Sequence, residues 1–232
     1  PGDRLSPTQP YSALSFLPER NISETDMWGT TPFDQMACRI IYKNHRYEGP
    51  FTPQTVGEKG KGAIISPGPL GIFEWGGASV DPVRQLLILN PNYMGFLERL
   101  VPREKANAKG GTGGEMGLQP QTGIPFAVEI GPFLSPLGFP CQAPPWGYVA
   151  AVDLKTMKKV WMHKNGTTRD SAPVPIALPL GVPSLGGMVT TGGGVTFLSS
   201  TLDYYIRGYD VSNGKEIWKA RLPAGGQATP MS

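Results

Sequence analysis

Two stretches of the chain repeat one pattern. Ala151-Val152-Asp153-Leu154-Lys155-Thr156-Met157-Lys158-Lys159-Val160-Trp161 aligns with Gly208-Tyr209-Asp210-Val211-Ser212-Asn213-Gly214-Lys215-Glu216-Ile217-Trp218, at an offset of 57 residues. In both copies an Asp ends a strand, a short polar turn follows, and a β-branched residue leads into Trp. Asp can satisfy backbone N–H groups in the turn. Asn213-Gly214 suits a hairpin, and Trp supplies a large anchor between stacked sheets. Strand-like runs precede each Asp (Gly147 to Ala150 and Tyr204 to Arg207), and Gly194 to Leu198 adds one more before the second copy. A sheet of three or four short strands cannot bury both of its faces. Such sheets must stack around an axis, which makes the fold class all-β, a β-propeller. Asp81 after Ser79-Val80, followed by Leu86 to Leu89, reads as a third, degenerate copy that lacks the Trp. At about 50 residues per blade the chain holds three or four blades. Either partners or a further part of the ring must then complete it, and open blade edges favour self-association.

The segment before the blades differs in character. Residues 1–50 read as an extended Pro/Ser-rich stretch followed by a helical insertion, and residues 51–232 as the partial propeller. Ser23 with Asp26 resembles a capping box. Thr31 before Pro32 sets an N-cap ahead of a proline at the first helical position. A helix is predicted over 31–47, with Met36, Ile40, Ile41 and Tyr42 on its packed face and Gly49 as its stop. Short strands are predicted at Ile64-Ile65, Ile72-Phe73, Ala78 to Val80 and Gln85 to Leu89. Residues 102–123, with Gly110-Gly111-Thr112-Gly113-Gly114, read as a long mobile loop. They have neither the preceding strand nor the Gly-Lys-Ser/Thr ending of a phosphate-binding loop.

Composition narrows the function classes. The 31 Gly and 25 Pro punctuate a chain that is 39% hydrophobic, which argues for a turn-rich folded protein. A net charge of +3, with no basic cluster, gives no footprint for nucleic acid. No apolar run reaches the roughly 18 residues of a membrane span. The opening Pro1-Gly2-Asp3-Arg4 and the closing Thr229-Pro230-Met231-Ser232 both read as interior sequence of something longer. Cys38 and Cys141 are open to two readings, a disulfide or two buried thiols. His45 and His163 have no metal-ligand spacing around them. The triplets Asn21-Ile22-Ser23 and Asn165-Gly166-Thr167 match the glycosylation pattern, one that is common by chance.

Longer motifs carry a resemblance. Gly214 to Trp218 resembles the tryptophan-docking blades of dehydrogenases that use pyrroloquinoline quinone (PQQ). Phe73-Glu74-Trp75-Gly76-Gly77-Ala78-Ser79-Val80-Asp81-Pro82, Pro140-Cys141-Gln142-Ala143-Pro144-Pro145-Trp146-Gly147 and Leu222-Pro223-Ala224-Gly225-Gly226-Gln227-Ala228-Thr229-Pro230-Met231 are similar to the membrane-bound glucose dehydrogenase group. Pro1-Gly2-Asp3 and Asp26-Met27-Trp28-Gly29 match as well. Quinate/shikimate and polyol dehydrogenases share much of this signature.

The resemblance implies part of an eight-bladed propeller at the periplasmic face of the inner membrane, with PQQ on the axis and a bound Ca²⁺ or Mg²⁺. It implies oxidation of an aldose such as glucose, or of quinate or a polyol, with electrons passing to ubiquinone. Four cofactor positions carry over. Asn90 matches an asparagine that contacts the quinone, Trp75 a position lining the cofactor, and Leu185 a side chain packed near the ring. Asp203 matches an aspartate tied to cofactor or metal affinity. Without the resemblance, Asn90 is a turn residue, Trp75 a core residue and Asp203 a strand start. The general base and the main metal ligands match no residue here, so no catalytic or metal residue is assigned, and the chain alone is expected to be inactive. The competing class is a non-catalytic propeller scaffold; PQQ binding discriminates between them.

Overall fold

The computed structural model describes residue 8 and residues 12–57, 61–109, 116–172 and 175–231. A 3-10 turn (Glu24–Asp26) precedes α1 (Pro32–Asn44). Strands β1 (Ala63–Ile65), β2 (Ser79–Asp81), β3 (Leu86–Leu89) and β4 (Phe96–Pro102) follow, then α2 (Arg103–Lys109). The rest is β5 (Gly117–Gln119), β6 (Phe126–Pro132), β7 (Tyr148–Asp153), β8 (Lys158–Lys164), β9 (Met188–Thr190), β10 (Val195–Ser199), β11 (Tyr205–Asp210) and β12 (Glu216–Arg221). They form three four-stranded antiparallel sheets: β2-β3-β7-β8, β9-β10-β11-β12 and β1-β4-β6-β5.

The first two sheets are the repeat made solid. Asp153 Oδ1 accepts from the backbone N–H groups of Lys155 (2.7 Å) and Thr156 (2.9 Å), and Asp210 Oδ1 from that of Ser212 (2.8 Å). Asp81 Oδ1 does the same for Val83 (2.9 Å) and Arg84 (3.0 Å). Asp81 nevertheless closes the β2–β3 hairpin of the sheet that also holds Asp153. The expected third copy is therefore the other hairpin of one blade, not a further blade. The two sheets share one core, in which Leu86, Ile88, Val149, Ala151 and Trp161 meet Met188, Leu198, Tyr209 and Val211.

The third sheet departs from the repeat. Its strands β4, β5 and β6 lie between β3 and β7 in the chain, and β1 joins from before the first blade. Val101, Ala106, Leu118 and Ala127 bury together between this sheet and α2. Residues 103–109 and 117–119 are thus regular elements where a mobile loop was expected; Gly110 to Gly114 lie outside the described residues. The Arg103 guanidinium explains part of the difference. It donates to the carbonyls of Gln121 (2.6 Å), Ile124 (3.0 Å) and Phe126 (3.0 Å), gathering the loop around one side chain.

Helix α1 begins as expected, with Thr31 Oγ1 accepting from Asp34 N–H at 3.1 Å and Pro32 in the first turn. Its packed face is different. Met36 and Ile40 are 54% and 52% exposed, whereas Cys38 is fully buried and Ile41 and Tyr42 pack around it. Cys38 is bonded to Cys141, which resolves the two readings left open for the thiols and decides which side of α1 faces the protein. Ile72-Phe73 is a bend, not a strand; the Ile72 carbonyl accepts from Asn92 N–H at 2.8 Å and is spent on an irregular contact.

Candidate functional site

Strands β2 and β9 are both entered through a Gly-Gly pair, Trp75-Gly76-Gly77 and Leu185-Gly186-Gly187. A third pair, Gly225-Gly226, follows β12. These glycines let backbones touch. A Cβ on Gly187 would lie 2.5 Å from the Gly76 carbonyl oxygen, one on Gly186 would lie 2.6 Å from that of Ser199, and one on Gly225 would lie 2.0 Å from that of Thr201. Any side chain there would force the segments apart. The recurrence of Gly-Gly at these heads was visible in the sequence as a second repeat, and it is what brings three of the four predicted positions together.

Asn90, just past β3, is 2% exposed, and its Nδ2 donates to the carbonyls of Ser184 (3.0 Å) and Gly186 (2.9 Å). Asn92 extends the clamp, donating to Ser184 O (3.1 Å) and accepting from Ser184 N–H (2.9 Å). Two carbonyl partners fix the orientation of the Asn90 amide. Both of its donors are spent, so what this amide has left for a contact is its oxygen. Its Oδ1, an acceptor, has no hydrogen-bond partner among the described residues. Leu185 is half-buried, with its N–H donated to Thr201 Oγ1 at 2.8 Å. Trp75 stands 66% exposed beside this junction, which removes the core reading and leaves an indole free to meet another ring.

Asp203 has a different occupation. It is fully buried, and both of its oxygens are hydrogen-bonded by Arg207; Thr167 N–H also donates to Oδ2 at 2.9 Å. Arg207 reaches Glu216 as well, at 3.0 Å. Burial alone would lower the Arg207 pKa, but hydrogen bonding and charge from Asp203 outweigh it and raise it. Asp203 is a carboxylate committed to an internal pair. Beside it, Asn165 is 1% exposed and accepts from the Tyr209 phenol at 2.7 Å, which closes the Asn165-Gly166-Thr167 triplet to modification in the folded chain. Among the described residues no group of three or more His, Cys, Asp or Glu could hold a metal ion. No helix among them is long and apolar enough to cross a membrane.

The flat exposed indole, the half-buried Leu185 and the unspent Asn90 oxygen fit one side of a planar cofactor; nothing in the set fits a metal. The propeller domain of glucose/ethanol/alcohol dehydrogenases, the PQQ family, matches residues 1–232, and the chain belongs to that family. It is 51% identical over 251 residues to a quinoprotein glucose dehydrogenase of Gluconobacter oxydans (strain 621H), covering 100% of this chain and 30% of that protein. A quinoprotein glucose dehydrogenase of Escherichia coli (strain K12) is 49% identical over 242 residues, with coverage of 100% and 30%. A probable quinate dehydrogenase (quinone) of Xanthomonas campestris pv. juglandis is 42% identical over 241 residues, covering 99% and 30%. The chain spans about 30% of the length of these relatives. The all-β propeller class and the family expected from the sequence are both borne out.

Proposed function

We propose that this chain is part of a PQQ-dependent dehydrogenase oxidising an aldose such as glucose, and that Trp75, Leu185 and Asn90 form one wall of the cofactor site. The observation that carries the reading is 51% identity along the whole chain to a glucose enzyme, against 42% to a quinate enzyme. Bound PQQ would supply the two-electron chemistry, accepting electrons from a hydroxyl or hemiacetal carbon. The residues of this chain hold and orient that ring. Trp75 offers a stacking face, Leu185 an apolar edge, and Asn90 fixes the 184–187 backbone while leaving one acceptor free. Asp203 acts at one remove, by pinning Arg207 and the Thr167 loop.

The general base and the ligands of a Ca²⁺ or Mg²⁺ ion are assigned to segments outside these 232 residues. Electrons then pass to ubiquinone at the periplasmic face of the membrane. The Cys38–Cys141 bond supports an oxidising compartment. The remaining blades, or a second copy in self-association, would cover the exposed blade faces. Oxidation of quinate or a polyol is the second reading, and the 42% identical relative supports it.

Titrating PQQ into the protein should quench Trp fluorescence, and Trp75→Ala should weaken binding about tenfold, the loss of roughly 1.4 kcal/mol of stacking. Unchanged binding in Trp75→Ala would overturn the placement, and no quenching at all would overturn the cofactor reading. Dye reduction by the 232-residue chain supplied with glucose, PQQ and Ca²⁺ would overturn the assignment of base and metal ligands to other segments.

A further inference from the structure

Residues 181–187 have no regular structure, and Leu185 stands half-buried among them. Side chains hold this segment where a strand would use its ladder. Ser184 N–H donates to Asn92 Oδ1 at 2.9 Å, and the Ser184 carbonyl accepts from Asn90 and Asn92 at 3.0 and 3.1 Å. Asn90 also takes the Gly186 carbonyl at 2.9 Å, and the Ser184 hydroxyl donates to the Ser199 carbonyl at 2.9 Å. Leu185 N–H itself goes to Thr201 Oγ1 at 2.8 Å. Asn90 and Asn92 follow β3, whereas Thr201 lies two residues past β10, so the segment is gripped from two sheets. Backbone groups with no ladder depend on such partners to stay satisfied.

Thr201 does more than receive one amide. It is 9% exposed, and its hydroxyl uses both of its functions, accepting from Leu185 and donating to the Gly226 carbonyl at 3.0 Å. Three residues beyond Gly226, Thr229 lies against Gly187, where an added Cβ would meet its Oγ1 at 2.6 Å. Thr229 also makes a long contact, 3.4 Å, with the Gly76 carbonyl next to Trp75. Leu185 and Trp75 are therefore both tied to the 226–229 segment, one through Thr201 and the other through Thr229. Removing the Thr201 hydroxyl would leave two backbone groups, Leu185 N–H and Gly226 C=O, without that partner at once.

A binding wall works only if its parts hold their places to within about 0.5 Å, which needs support from behind. We propose that Thr201 is a positioning residue of the cofactor site. Its hydroxyl fixes the Leu185 backbone and, through the Gly226 carbonyl, sets how Leu185 stands relative to Trp75. Thr201 acts through Leu185 and not by contact with the ring. The assignment rests on the reading of Trp75, Leu185 and Asn90 as one wall of that site. Thr196 provides the contrast. It is fully buried near the start of β10, and its hydroxyl partners, Thr190 Oγ1 (3.0 Å) and the Val189 carbonyl (3.3 Å), lie within β9.

Two measurements on the intact protein test this. The first needs no cofactor: amide exchange across 184–187, read by mass spectrometry. Thr201→Val keeps the shape, removes the hydroxyl and should speed exchange there about tenfold. Thr201→Ser should restore the parent rate, and Thr196→Val should leave it unchanged. The second is PQQ titration followed by Trp fluorescence. Thr201→Val should weaken binding about tenfold, the effect of losing two neutral hydrogen bonds. It should also shift the absorbance maximum of bound PQQ. Thr201→Ser should recover the affinity, and Thr196→Val should bind as the parent does even where its unfolding midpoint falls. Equal PQQ affinity in the parent and Thr201→Val overturns the proposal and leaves the cofactor reading standing. An equal loss in Thr196→Val, or unchanged exchange in Thr201→Val, overturns it in the same way. A parent whose fluorescence ignores PQQ overturns the cofactor reading and the role of Thr201 together.

Discussion

Trp161 and Trp218 hold the same place in the repeat and have opposite surroundings. Trp161 is 8% exposed, and its Nε1 donates to the Val211 carbonyl of the following sheet at 2.9 Å. Trp218 is 49% exposed, and among the described residues its ring pairs with Phe197 of its own sheet, edge-on at 5.8 Å. The indole contributes little within the sheet that carries it. Its partner is the turn of the next copy, where Val211 offers a carbonyl and Gly214 a surface without a side chain. A Cβ on Gly214 would stand 2.4 Å from Trp161 Cε3 and 2.5 Å from His163 Cδ2. Each copy is thus a key whose lock lies one sheet further on, and stability in such a stack resides in interfaces between neighbours.

The largest test of that contrast is to delete each indole. Trp161→Ala should cost about 3–5 kcal/mol, the range for a buried aromatic, whereas Trp218→Ala should stay within about 1 kcal/mol. Denaturant midpoints of the two variants would show it; equal losses would break the lock-and-key account. Next comes the turn. Gly214 has φ +71° and the aligned Met157 has φ +55°, so both copies demand the left-handed conformation and only one has the residue suited to it. Gly214→Ala should destabilise by about 2 kcal/mol through strain and collision with Trp161. Met157→Gly should instead stabilise by about 0.5–1 kcal/mol, since Met157 is 51% exposed and gives up little packing.

A smaller effect is expected at His163, whose Nε2 lies 2.9 Å from the Asn213 carbonyl while its ring stacks on Trp161. His163→Ala should cost about 1 kcal/mol, measured by the same unfolding curves. The smallest effect separates nothing, and is useful for that reason. Backbone hydrogen bonds hold the Asp153 carboxyl below its usual range, and those of the Ser212 hydroxyl and backbone N–H do so for Asp210. A carboxylate whose folded pKa is depressed stabilises the fold above its unfolded value near 4, and loses that contribution as pH falls through the folded value. The stability gap between the parent and either Asp153→Asn or Asp210→Asn should therefore be present at pH 7 and close as pH falls below the ordinary Asp value near 4. A gap at Asp153 alone would show that the two turns differ as their tryptophans do.

The sequence was most legible where chemistry is local. Thr31-Pro32 set the start of α1, and Asp with a short polar turn set the hairpins, because their partners lie within four residues. It was least legible where a distant contact decides. Met36 and Ile40 fit the apolar spacing, yet the bond from Cys38 to a residue 103 positions away turns the other face inward. Asp81 carries the turn chemistry of a new copy, but strand pairing with β7 makes it half of an existing sheet. At the candidate site, Asn90, Trp75 and Leu185 came from motif likeness, and the structure supplies the reason for their proximity in the Gly-Gly heads. The full commitment of Asp203 to Arg207 had no signal beyond their four-residue spacing, which a strand does not reward.

The Cys38–Cys141 bond closes a covalent ring around β1 through β6. The first blade straddles that ring, with β2 and β3 inside it and β7 and β8 outside, joined by the ladder from Leu86–Asp153 to Leu89–Ala150. A protease that severs one peptide bond anywhere between the two cysteines therefore releases no fragment. The two pieces travel together on a non-reducing gel and part only when a thiol is added. The segment between β3 and β7 can in this way be cut, and in principle exchanged, while the blade that flanks it keeps both of its halves.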